Sequence, residues 1–321
     1  MSAIDTAPRP SRAPWLRALA SVLLLAGLFA WVGPSSLLGV LEALSIPWLL
    51  FALVLSVPQV LLSAWRWQFT TGLLGMPLPL AHALREYCLG NVLNQVLPGG
   101  VAGDLTRAWR HARTASATRA AWHAVMIERA AGQLVLLACA LVALPWAPSI
   151  GVEFRNGFGQ NLTLGMSGIV LALFAAAVFF AGRMLPAVAW FGRDFGQAVF
   201  SRRAWFPQLL LSLALVGSYV VVYLCCARAL GVGTGALALA PLILWVLVAM
   251  AVPLSLAGWG IREGAAAGIW MLADLPVAQG VAISLLYGVV VLVSALAGAF
   301  LLLACPSPPV APVDVASDSP G

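Results

Sequence analysis

Pro98-Gly99-Gly100-Val101-Ala102-Gly103-Asp104-Leu105-Thr106-Arg107 interrupts an apolar run in the first third of the chain, and Pro253-Leu254-Ser255-Leu256-Ala257-Gly258-Trp259-Gly260-Ile261-Arg262-Glu263 interrupts another near its end. In both stretches Gly stands five residues after Pro, and Arg nine residues after it. Pro lacks a backbone donor and clustered Gly lowers helix propensity, so each stretch reads as a break in a membrane helix. Interrupted helices at corresponding places in two halves of a chain point to the binding site of a transporter. Pro98, Gly99, Gly100 and Gly103 in the first break, and Pro253, Ser255, Gly258 and Gly260 in the second, are read as structural breaks and as a cradle of free amides suited to a phosphate.

Composition sets the frame for these breaks. The 321 residues are 62% apolar and 9% charged, with a mean hydropathy of +0.98. A soluble domain carries roughly 25% charged residues, so the chain reads as an all-α, polytopic integral membrane protein. Spans are expected at 15–33, 46–65, a more polar 79–97, 121–145, 163–182, 207–230, 236–257 and 277–303, with a short helix at 261–273. Each main span approaches or exceeds the ~20 residues that cross a ~30 Å hydrocarbon core. The expectation is about seven to eight transmembrane helices with two re-entrant Pro/Gly-broken segments. Residues 1–14 and 304–321 read as disordered tails around a membrane domain of 15–303.

The net charge of +6 comes from Arg alone, because the chain has no Lys. Arg marks cytoplasmic loops, so Arg9, Arg12 and Arg17 place the N-terminus inside, together with Arg66, the 107–119 cluster and the 183–203 loop. The stretch from Ala18 to Val32 reads as a first transmembrane helix, since no small-x-small cleavage site follows it. This count closes only if 79–97 enters and leaves on one side, as a re-entrant segment or a hairpin. It also makes 258–274 re-entrant from the cytoplasm and puts the acidic tail outside. Asn161-Leu162-Thr163 matches a glycosylation sequon, read as a chance match.

Charged groups inside the spans carry the functional reading. Entering the membrane near Ala120, the fourth span places Glu128 roughly 12 Å deep. A charge at mid-span costs about 2.5–3.5 kcal/mol on insertion scales, so Glu128 and Arg129 need partners or a wet cavity, unless both sit at the interface with Arg129 snorkelling. Arg262-Glu263 repeats the dipeptide in reverse beside the second break. Neighbours on a helix point ~100° apart, so cross-pairing is expected, Glu128 with Arg262 or Arg129 with Glu263. Glu86, Gly90 and Asn94 recur at helical spacing, with Asn91 and Gln95 adjoining, as a cavity wall or as hydrogen-bonding glue. Asp104 opens a helix and serves at least as a cap. The cluster Arg107, Arg110, Arg113 and Arg119 marks topology and draws anionic headgroups at roughly 1 kcal/mol each.

Other chemistries lack their residues. The sequence holds no Walker loop, no His-Glu-x-x-His and no Gly-x-Ser-x-Gly. Five Cys and three His build no metal-ligand set, so no metal, no cofactor and no enzymatic activity are expected. An intramembrane aspartyl protease would need a second deep Asp, and Asp194 and Asp274 fall at span ends.

The chain resembles the lysylphosphatidylglycerol synthase transmembrane family, a flippase-like membrane domain, from about 15 to 303. The resemblance rests on Asn94, Pro98, Gly99, Gly100, Gly103, Asp104 and Arg107, on Glu128, Arg129 and Gly132, and on Pro253, Ser255, Gly258, Gly260, Arg262 and Glu263. Ala102 departs from the family's usual Gly. With no soluble aminoacyl-transferase domain alongside, the resemblance implies translocation of a lipid and not its synthesis. A phospholipid or polyprenyl-linked lipid is expected to move between leaflets of a bacterial inner membrane. Arg107, Arg129 and Arg262 would hold an anionic or phosphate-bearing headgroup, Asp104, Glu128 and Glu263 would balance charge or carry protons, and Asn91 and Asn94 would replace water. The expected partner is membrane lipid and not nucleic acid, with a homo-oligomer or a partner enzyme left open. The alternatives are a secondary transporter of a small solute and a non-transporting subunit of a glycosyltransferase or lipid-modifying enzyme.

Overall fold

Apolar runs of this length satisfy their backbone groups in lipid only as helices. The structure, a computed structural model, describes residues 13–97, 100–114, 118–147, 186–250 and 258–304. Among the described residues there are eleven α-helices and no strand: α1 (Ala13–Val32), α2 (Pro34–Leu41), α3 (Ile46–Leu73), α4 (Leu80–Val96), α5 (Ala102–Thr114), α6 (Thr118–Ala143), α7 (Pro186–Phe195), α8 (Trp205–Ala229), α9 (Ala236–Met250), α10 (Ile261–Leu272) and α11 (Val277–Ala304). Four helical stretches, Ile46–Leu73, Thr118–Trp146, Trp205–Ala229 and Val277–Phe300, are long and apolar enough to cross a membrane. α1 and α2 bend by 86° and make a fifth span if counted together. The protein is an all-α, multi-pass membrane protein. The expected span 163–182, the sequon, both expected tails up to residue 12 and from 305, and Pro98, Gly99, Pro253 and Ser255 lie outside the described residues.

Two expectations change. The second span does not end at Trp65-Arg66-Trp67: α3 continues to Leu73, so Arg66 belongs to the helix and not to a cytoplasmic loop. Two polar side chains of these extra turns bond nearby, Thr70 Oγ1 donating to the Arg66 carbonyl and Gln68 Nε2 to the Leu78 carbonyl, both at 2.9 Å. The segment 79–97 is one helix and not a hairpin in itself. It pairs instead with α5, and the contacts Asn94 to Gly103 and Glu86 to Arg110 make the two antiparallel across the first break. At 17 and 13 residues, α4 and α5 are roughly 25 and 20 Å long, too short to cross a ~30 Å core alone. The expected span 236–257 is described only to Met250, as the 15-residue α9, which packs on the 12-residue α10.

α3 is amphipathic in the inverse sense of a soluble helix. Ser56, Gln59, Ser63 and Arg66, spaced three, four and three apart, are buried, whereas Val54, Val57, Leu61 and Trp65 are exposed. Its polar stripe faces α4, α6, α8 and α11, which pack around it. An apolar core of Tyr223, Val246, Trp270 and Ile283 joins α8, α9, α10 and α11 and extends to Ala52 of α3 and Ala140 of α6. Lipid offers no hydrophobic drive between helices, so close approach of small residues does much of the packing. Gly103 shows this best: a Cβ there would lie 1.9 Å from the Gly90 carbonyl oxygen, so α4 and α5 touch backbone to backbone. Gly103→Ala is therefore expected to separate the pair and cost about 1–3 kcal/mol or more, lowering the thermal unfolding midpoint of the detergent-solubilised protein. Gly72→Ala, at a position with open space around it, is the control and should leave the midpoint nearly unchanged.

Candidate functional site

A cavity of about 340 Å³ lies inside the ring formed by α3, α4, α6, α8 and α11. α3 contributes Ser56, Gln59, Ser63 and Arg66 to its wall, and α4 contributes Tyr87, Asn91, Asn94 and Gln95. α6 adds Glu128, Arg129, Gly132 and Gln133, while Asp104 enters from the first turn of α5. Gly100 and Gly258 bring both breaks to the same space.

The charges form one network, centred on Glu128, which has no solvent exposure. Its Oε1 accepts from Arg66 Nη2 at 3.2 Å and from the Tyr87 hydroxyl. Its Oε2 accepts from Arg107 Nη2 at 3.0 Å. Arg107 also donates to Asp104 Oδ1 at 3.1 Å, and Asp104 Oδ2 accepts from Arg129 and, at 3.3 Å, from Asn94 Nδ2. Arg66 Nη1 reaches Ser212 Oγ at 3.1 Å on α8. Gly132 makes room for Arg66, since a Cβ there would stand 2.7 Å from Nη1. Three guanidiniums against two carboxylates leave one net positive charge, and the freest of the three is Arg129, 43% exposed.

Arg107, the residue nine after the first Pro, sits behind the wall and not on it. It is 2% exposed and its guanidinium lies over the rings of Trp67 and Tyr87, 4.5 and 4.1 Å from their centroids. Glu86 pairs with Arg110 at 3.0 Å beside a separate, mainly apolar pocket of about 160 Å³. Of the stripe on α4, Asn94 serves both expected roles: it lines the cavity and also accepts from the Gly103 amide at 2.7 Å.

The expected cross-pairing does not occur. Glu128 pairs with Arg66 and Arg107 in place of Arg262, and Arg129 pairs with Asp104 in place of Glu263. Arg262 binds its own neighbour, Nε and Nη2 donating to Glu263 Oε1 at 2.9 and 2.5 Å. The reason is local. Gly260, at φ +88°, turns the chain into α10, and its amide donates to Glu263 Oε2 at 2.7 Å. Glu263 thus folds back to cap its own helix, and the long Arg262 side chain curls round to the same carboxylate. Ser284 on α11 accepts from Arg262 Nε at 3.1 Å. This second cluster is neutral; among the described residues it meets the cavity wall at Tyr287, over which Arg262 lies, and at Gly258, whose carbonyl accepts from the Arg262 amide at 3.0 Å.

Tyr87, Gln59, Ser63 and Ser212 of this wall are not among the expected site residues, and Arg66 is expected only as a marker of a cytoplasmic loop. The spacing of Ser56, Gln59, Ser63 and Arg66 on one face of α3 was the available signal.

These features define a multi-pass membrane protein built around an internal polar cavity with surplus positive charge. The chain belongs to the family described as the lysylphosphatidylglycerol synthase TM region, whose model matches residues 18–298. Among curated proteins, none matches it. Membership makes it a membrane domain of lipid-related function.

Removing one partner from a buried ion pair strands the other charge and costs about 3–5 kcal/mol, whereas an exposed pair is worth ~0–1 kcal/mol. Glu128→Gln should therefore lower thermal stability in detergent far more than Arg129→Gln. Equal losses for the two would contradict the burial and partners assigned to Glu128.

Proposed function

We propose that the protein moves an amphipathic, phosphate-bearing lipid between the leaflets of a bacterial inner membrane, its N-terminus inside, without making or breaking covalent bonds. The observation that supports this best is the net positive cavity, in which Arg129 is held by Asp104 yet remains 43% exposed. A headgroup leaving water must exchange its hydration for fixed donors, and a guanidinium offers the planar fork that suits a phosphate. Asn91 and Asn94 supply neutral hydrogen bonds beside it, and Gly100 lets backbone approach closely at the first break. A cavity of about 340 Å³ is near the small end of the ~300–1,000 Å³ range of ligand pockets, so it takes a headgroup and leaves acyl or prenyl chains in lipid.

In this reading Arg129 and Arg66 meet the phosphate, Arg107 holds the carboxylates in place from behind, and Arg262 fixes the start of α10. Loss of one charge-assisted hydrogen bond costs about 1.5–3 kcal/mol, or roughly 10- to 100-fold in rate. Arg129→Ala, reconstituted in proteoliposomes, should slow leaflet-resolved translocation of anionic phospholipid by that factor. Equal rates for wild type, variant and empty liposomes across a panel of lipids would overturn the proposal.

A further inference from the structure

The pocket of about 160 Å³ beside the Glu86–Arg110 pair lies between α4, α5 and α11, apart from the central cavity. Leu89, Val92 and Leu93 of α4, Thr106 of α5 and Ala299 of α11 line it, and their chain neighbours Leu105 and Phe300 are exposed. Its wall is almost wholly apolar, and it is smaller than the ~300–1,000 Å³ that ligand pockets commonly span. The space suits a stretch of hydrocarbon and not a headgroup with its water.

The exposed charge of this pocket lies at one end. Gly103, beside the break, and Arg110 both line it, and the helical rise sets them roughly 10 Å apart along α5. Arg110 is held by the buried Glu86 at 3.0 Å yet stays 47% exposed, so part of its guanidinium remains open. Arg113, one turn further on, lies over the exposed Trp109 ring, 4.9 Å from its centroid. A Trp ring favours the level of the headgroups, which places this end of α5 at the membrane surface.

A phospholipid has the same order, phosphate at the surface and chains below it. A chain gains no hydrophobic free energy by leaving other lipid, but it restores dispersion contacts that an unfilled wall forgoes. Selectivity comes from the guanidiniums, which give a phosphate charge-assisted hydrogen bonds and draw lipids of net negative charge.

We propose that this groove binds one anionic phospholipid of the surrounding leaflet, with a chain in the pocket and the phosphate on Arg110 and Arg113. Such a lipid is held and not carried, so the site stands independently of the translocation reading. It bears on the central cavity through Arg107, which lines this pocket and donates to Asp104 and Glu128 in the network.

The test is a titration of the solubilised full chain with phosphatidylglycerol and with phosphatidylcholine of the same chains, read by native mass spectrometry. Arg129→Ala serves as the background, so that lipid held in the central cavity does not obscure the count. One phosphatidylglycerol should bind at least roughly tenfold more tightly than phosphatidylcholine, the effect of a charge-assisted hydrogen bond. Ala299→Phe, which fills the pocket from α11, should weaken that binding roughly tenfold or more. So should Glu86→Gln combined with Arg110→Gln, which removes the cation without stranding a buried carboxylate. Where Ala299→Phe does not fold, Val92→Phe fills the same space from α4. Equal affinity for the two lipids, or unchanged binding after either the filling or the neutralising change, would overturn the proposal, because the site needs both its chain pocket and its cation.

Discussion

A carboxylate with no exposure to solvent must find its counter-charge inside the protein, and Glu128 finds it in two guanidiniums and a phenol. That requirement draws α3, α4, α5 and α6 to a single point. In water such a convergence would follow from burial of apolar faces. In lipid the apolar faces gain nothing by turning inward, and polar contacts set which face of each helix looks at its neighbours. The exposed Val54, Val57 and Leu61 of α3, opposite its buried Ser, Gln and Arg, are the visible result.

The two Pro/Gly breaks share a spacing but differ in what they build. The first delivers Asp104 and Arg107 into a network that spans several helices. The second closes on itself: Glu263 caps α10 and neutralises Arg262, which reaches outside the break to Ser284 and the Tyr287 ring on α11. Equal spacing of Gly and Arg after Pro does not give equal paths, since Gly103 lies inside α5 whereas Gly258 precedes α10 at φ +84°. Nor does it dictate where a long Arg side chain ends, because the nearest carboxylate decides that.

Helix positions were largely legible, because apolar length is the signal and lipid leaves few alternatives to a helix. α1, α6, α8 and α11 fall close to their expected limits. Arg66 misled for a physical reason: between two Trp residues it looks like an interfacial anchor, and nothing local reveals a partner 62 positions away in the chain. The hairpin was placed one element too early because charge counting sees sides of a membrane and not which helix turns. Asn91, Asn94, Glu128 and Arg129 stand out by polarity and depth and Asp104 by its place at a helix start, and all five line the cavity. Their pairing does not stand out, since an ion pair between helices is a property of packing.

The stripe on α3 also bears on how the protein is made. Synthesis runs from the N-terminus, so Ser56, Gln59, Ser63 and Arg66 reach the membrane before α6, and with it Glu128, has left the ribosome. For that interval an arginine sits in a span with no carboxylate to meet it, at a cost of about 2.5–3.5 kcal/mol on insertion scales. The outward Val, Leu and Trp residues of α3 offset that cost, and the helix stays apolar enough to cross a membrane. Biogenesis and function thus place opposite demands on one helix: enough grease on one face to board the membrane early, and enough polarity on the other to wait for a partner.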